Sequence, residues 1–229
     1  MKIVAGIALF ALISGAQAFA ESVVYDIRTD IGPIIRSASS FWFENDTGAD
    51  VASSDYVTEG GGVRYGLDLS VSPFPRNGIG FGFSYRRLSP NDLRYNGFGG
   101  HLSLTEASGN RLLWVRRWAV TGGVARILFP DGAFSTLPAF EYSGGDVGAF
   151  FETDLSVAVP LVELTRVGES HSVQLAPLLG VSAGYVVGAS EIQFASSSSV
   201  FDNDDGWYAG ADAFYWSVNL GVSLLGINE

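Results

Sequence analysis

Two neighbouring runs of alternating residues constrain this chain most: Asp146 to Leu161, and His171 to Gly188 after the short segment TRVGES. In the first, Val147, Ala149, Phe151, Thr153, Leu155, Val157, Val159 and Leu161 share one face. Gly148, Phe150, Glu152, Asp154 and Ser156 share the other. In the second, Val173, Leu175, Leu179, Val181, Tyr185 and Val187 fall opposite Gln174, Gly180, Ser182 and Gly184. A period of two is the signature of a strand. Both runs far exceed the five or six residues usual in globular sheets. Strands this long, with one apolar face and one polar or small face, match those that cross a bilayer as part of a closed barrel, which need about 9–11 residues each.

Composition agrees. Charged residues make up 16% of the chain, against about 25% in a typical soluble domain. No apolar run reaches the 18 or more residues of a membrane helix. The chain has no cysteine, which excludes disulfides and thiolate metal sites. A net charge of −11 argues against nucleic acid as a partner, because that interface is basic.

The first 20 residues read as a secretory signal peptide. Lys2 gives a positive start, Ile3 to Ile13 an apolar stretch too short to span, and Ser14 to Ala20 small-residue cleavage sites after Ala18 or Ala20. Residues 21–229 are then a single barrel domain. Export together with long alternating strands places it in the outer membrane of a Gram-negative cell.

Eight strands are expected along the mature chain. The first lies at Ile31–Phe43, where Gly32-Pro33 marks an edge or a bulge. The second, Gly62–Ser72, turns through Pro73 to Gly78 into a third that starts at Ile79. Phe98–Thr105, Leu112–Phe129, the two central runs and Trp207–Leu225 complete the set. Arg116 and Arg126 fall on the lipid side near the two ends of the fifth strand. Connections near 44–58, 130–145 and 189–206 are long and acidic, and the one at 88–95 is intermediate; those near 73–78, 106–111 and 165–171 are short. Outer-membrane barrels have long external loops and short periplasmic turns, so both termini are expected in the periplasm. Tyr85, Tyr185, Tyr208 and Trp207 are expected near the outer rim, Trp114 and Trp118 near the inner one.

This all-β, up-and-down antiparallel pattern resembles the small eight-stranded outer-membrane barrels of Gram-negative bacteria over nearly the whole mature chain. Such families close on a strand ending in an aromatic residue; this chain ends Leu225-Gly226-Ile227-Asn228-Glu229.

The inward faces carry Arg64, Arg86 and Arg117 against Asp68, Glu152 and Asp154. An eight-stranded barrel is just wide enough to be filled by side chains, and a buried charge without a partner is very costly. An ion-pair network filling the lumen is therefore expected. Inward glycines at 148, 180, 184, 210 and 221 point the other way, toward room for a narrow channel. His101-Leu102-Ser103 resembles the His-x-Ser pairing of outer-membrane lipid A deacylases. However, position 104 is Leu where that pattern has Asn, and no glutamate stands at Trp114–Arg117. A serine nucleophile needs an oriented base, so no enzyme is expected and no cofactor. Asp202-Asn203-Asp204-Asp205-Gly206 starts like a calcium loop, but the twelfth position is Ala213 rather than a carboxylate. Membrane lipid and lipopolysaccharide are the expected surroundings, with divalent cations at the acidic loop tips. Four readings stay open: a structural or surface-interaction barrel, a narrow channel for small or apolar solutes, a lipid-modifying enzyme, and a soluble periplasmic or secreted β-protein whose apolar faces pack on each other.

Overall fold

The computed structural model describes residues 22–45, 60–74, 77–90, 94–108, 114–128, 140–168, 171–194 and 206–228. They form nine strands: β1 (Ser22–Asn45), β2 (Gly60–Phe74), β3 (Ile79–Pro90), β4 (Arg94–Ser108), β5 (Trp114–Leu128), β6 (Phe140–Ala158), β7 (Val162–Val167), β8 (His171–Phe194) and β9 (Trp207–Asn228). Eight make an antiparallel ring in the order β6-β5-β4-β3-β2-β1-β9-β8, closed by pairing of β6 with β8. The short β7 hangs from the lower part of β8, outside the ring. Pro160 separates it from β6, and the amides of Val159 and Leu161 carry the ladder across to Pro177 and Leu175. Where a short turn is expected at 165–171, the hairpin instead runs on to Gly168, which takes φ +71°.

The strands are longer than the sequence pattern suggests. β1 begins at Ser22 rather than Ile31, because Asp26, Arg28 and Asp30 already alternate with exposed Ile27 and Ile31. Gly32-Pro33 neither breaks the strand nor marks an edge. A Cβ at Gly32 would sit 1.9 Å from the Val218 carbonyl oxygen, so glycine lets β1 lie close against β9. The bulge expected beside the proline falls between Ile34 and Arg36, where two successive residues face outward and the alternation changes parity. The 88–95 connection shrinks to 91–93, since Leu88 pairs with Tyr95. Residues 140–145 and 189–194 are strand rather than loop.

Every ring strand alternates between buried and exposed positions, and among the described residues thirty large apolar side chains remain exposed, from Ile27 around to Val222. Soluble monomers rarely expose contiguous apolar patches beyond a few hundred Å², so this belt is a surface for lipid. At the short-turn end Arg116 lies 4.3 Å from the Trp114 ring centroid and 3.0 Å from Glu106, which anchors the charge at the interface. Trp207 lies at the long-loop end, where it points inward and is buried against Phe194.

One seam of the wall is incomplete. Pairing of β5 with β6 stops at Val124 and Ala149. Beyond it β5 bonds only to β4 and β6 only to β8. The top of β5 leans inward: Ser190 Oγ donates to the Ile127 carbonyl at 3.3 Å, and a Cβ on Gly188 would lie 3.2 Å from that of Ile127.

Two outcomes test this architecture. The folded mature chain in detergent should migrate differently from the boiled chain on a gel; a protein soluble without detergent that shows one band would exclude it. Leu102→Arg, on the lipid face of β4, should cost about 2–4 kcal/mol in urea unfolding from vesicles, whereas Ser103→Ala on the opposite face should cost far less.

Candidate functional site

The inward positions of β1, β2, β3, β5 and β6 gather charge at mid-height in the lumen. Asp26, Arg28, Asp30, Arg64, Asp68, Arg86, Arg117, Glu152 and Asp154 are all buried there. Glu152 is the hub. Arg64 donates to it through Nε and Nη2, each at 2.7 Å. Arg86 Nε donates at 2.6 Å, and so does the Tyr215 hydroxyl at 2.6 Å. Arg64 also binds Asp30. Arg86 reaches on to Asp68 at 2.6 Å, which takes Arg117 on its other oxygen at 2.8 Å. Arg117, Asp68, Arg86, Glu152 and Arg64, five of the six residues named from sequence, thus form one continuous chain.

Asp154 lies off that chain. It stands 3.6 Å from Arg28 and accepts from Ser156 Oγ at 3.1 Å, while Arg28 holds Asp26 at 2.9 Å. Asp26, Arg28 and Asp30 were not among the residues expected here, because the first strand was placed too late. The signal was present in DIRTDI, whose charges recur at every second residue. With them the balance is not equal: the described lumen holds five carboxylates and four arginines.

Apolar layers lie on both sides of the charged belt. Toward the long-loop end Ile34, Leu88, Tyr95, Ile127, Phe150, Ile192, Phe194, Trp207 and Tyr215 pack as one cluster. Toward the short-turn end Val23, Val115, Leu178, Leu225 and Ile227 pack as another. The glycines leave little room. A Cβ on Gly184 would meet the Tyr215 hydroxyl at 2.5 Å, one on Gly180 would meet Ser156 at 3.0 Å, and one on Gly148 would meet the Ala125 carbonyl at 2.4 Å. Gly221 lies against the β1 backbone at Thr29 and Asp30, and the Trp42 ring covers Gly210.

His101 and Ser103 both face the lumen and are buried, away from any lipid substrate. His101 Nδ1 lies 2.7 Å from Ser84 Oγ, and Ser84 donates to Asp68 at 2.7 Å. With its one proton committed to the carboxylate, Ser84 accepts from Nδ1–H. His101 Nε2 is then the bare nitrogen, and it meets no partner among the described residues. A nucleophilic relay requires the imidazole between serine and carboxylate. Here serine stands between imidazole and carboxylate, so this arrangement does not activate Ser84. Ser103 instead lies over Gly80 beside Ser72. The calcium-like stretch at 202–205 falls outside the described residues.

No family model matches the chain, and no curated protein matches it. Among solved structures, the outer membrane protein OprG from Pseudomonas aeruginosa superposes with a TM-score of 0.53 at 10% identity, covering 90% of this chain and 96% of that one. The Pseudomonas putida toluene transporter TodX covers 90% of each chain at 8% identity, but its TM-score of 0.13 is too low to carry an argument. The closed ring, the apolar belt and the first of these likenesses agree: the chain has the fold of an eight-stranded outer-membrane β-barrel.

Proposed function

We propose that this protein is a closed outer-membrane barrel with a structural or surface-interaction role, presenting acidic connections outside the cell rather than conducting solute. The arrangement of the lumen carries this reading: a belt of paired charges held between two apolar layers. A conduit needs a continuous wetted path, and here aromatic and aliphatic side chains occupy both ends of it. The segments 46–59, 129–139 and 195–205 hold Asp46, Asp50, Asp55, Glu59, Asp131, Asp202, Asp204 and Asp205 and no Lys or Arg. Surfaces of that sign suit cationic partners and divalent ions bridging neighbouring anionic lipids. The leader at 1–20 and its removal after Ala18 or Ala20 belong to the same proposal.

Reconstituted into planar bilayers, the mature protein is expected to give no unitary conductance steps. Liposomes containing it should swell in isotonic sugar or amino-acid solutions no faster than empty ones. Discrete steps, or uptake of an apolar solute faster than in empty vesicles, would favour the channel and sink the closed-barrel reading.

The charged belt would act here as a rigid filler. Glu152→Gln keeps the shape but leaves Arg64 and Arg86 facing a neutral amide. Removing one member of a buried charge pair typically costs about 3–5 kcal/mol. The urea midpoint should therefore fall markedly. By contrast, Arg166→Ala removes an exposed pair with Glu163 and should leave the midpoint unmoved. A Glu152→Gln protein as stable as the parent would show that the belt does not hold the barrel together.

A further inference from the structure

We infer that the outer wall of β3, β4 and β5 carries a binding site for a phosphorylated glycolipid of the lipid A type. Arg87, Arg94 and Arg126 all point outward there and are exposed. The ladder aligns them: Arg87 stands opposite Asn96, and Asn96 opposite Arg126, so the two arginines flank one asparagine in a single cross-strand row. Strands are spaced about 4.8 Å apart, which puts the Cα atoms of Arg87 and Arg126 about 10 Å apart, with Arg94 one outward step above Asn96.

The rest of the chain makes this placement unusual. The protein carries a net charge of −11 with only 13 basic residues. Yet among the described outward positions of β2 to β5 the one acid is Glu106, at the opposite end and paired with Arg116. The row lies at the long-loop end, hence in the outer leaflet.

The surroundings select a lipid over a free anion. Tyr65 stands opposite Arg87 and extends the row onto β2, and directly below the row, toward the membrane centre, lie the rings of Tyr85 and Phe98: Tyr85 contacts Tyr65 at 6.2 Å and Phe98 at 4.9 Å between centroids. Tyr85 also donates to Asn96 at 3.2 Å, which ties this aromatic group to the polar row. Aromatic side chains of this kind mark the depth at which hydrocarbon meets headgroup. Beside them the incomplete seam between β5 and β6 opens into a groove of about 500 Å³, lined by Asn96, Phe98, Val124, Ala125, Arg126 and Val147 with Gly148. Arginine at the top and an apolar groove beneath fit a phosphate head with an acyl chain. Guanidinium groups bind phosphate through paired charge-assisted hydrogen bonds. The site is separate from the lumen and does not depend on whether the lumen conducts.

The test titrates the full mature chain, folded in nonionic detergent, with bisphosphorylated hexa-acyl lipid A, its dephosphorylated form, and inorganic phosphate, reading bound lipid by native mass spectrometry. The parent should bind the phosphorylated lipid at least about tenfold more tightly than the R87Q/R94Q/R126Q variant. Both should bind the dephosphorylated lipid equally weakly, and excess inorganic phosphate should not displace lipid A. Phe98→Ala should weaken lipid A binding while the three arginines remain. Arg36→Gln, outward at the same end but on β1, should leave it unchanged. Heat-modifiability on a gel confirms that each variant is folded. If the triple variant fails that check, Arg94→Gln alone should still lose several-fold. Equal binding by parent and variant, no dependence on the lipid phosphates, or displacement by inorganic phosphate would each overturn the proposal.

Discussion

Everything in this molecule depends on closing the ring. Hydrocarbon offers no partner to a backbone N–H or C=O, so a sheet inside a bilayer must have no open edge. Here the closing ladder is β6 against β8, running from Ala158–Leu178 to Phe140–Phe194. Those two strands hold the two central alternating runs of the sequence, and they carry the closure. The hairpin even outlasts the ring, since β7 and the start of β8 continue past the last residues that β5 can pair.

Closure creates an interior in which charged side chains are buried and must find partners. Eight strands leave a space that side chains fill, and among the described residues this chain places four arginines and five carboxylates there. Desolvating such groups costs several kcal/mol each, recovered only by close pairing and further hydrogen bonds. Glu152 illustrates the requirement: two guanidinium groups and a tyrosine hydroxyl saturate it. Serines at 84, 156 and 223 supply hydrogen bonds to other carboxylates of the belt. Apolar layers lie above and below the belt.

The exterior obeys the opposite rule. Its apolar belt faces hydrocarbon, and among the described outward positions of β2 to β5 charge appears only toward the two ends of the strands. Arg116 meets that condition at one end with Trp114 and Glu106, and the row of Arg87, Asn96 and Arg126 meets it at the other. The seam between β5 and β6 is the place where the wall loses ladder, and the groove that results lies next to the arginine row.

Alternation along the strands was enough to determine the class of fold and the inward faces of β2, β3, β5, β6 and β9, because a period of two assigns each residue to a side without knowledge of its neighbours. The same period places Arg64, Asp68, Arg86, Arg117, Glu152 and Asp154 on inward faces. It misplaced the start of β1, where Gly32-Pro33 masks a continuous strand. Which charges meet was decided only by tertiary structure: Arg64 and Glu152 are 88 residues apart, and their contact depends on ring curvature and stagger between strands. The order Asp68–Ser84–His101, the room lost at Gly184 to Tyr215, and the alignment of Arg87 with Arg126 across β4 arise the same way. Each depends on which residue stands opposite which across a ladder, and a single strand carries no record of its neighbour's register.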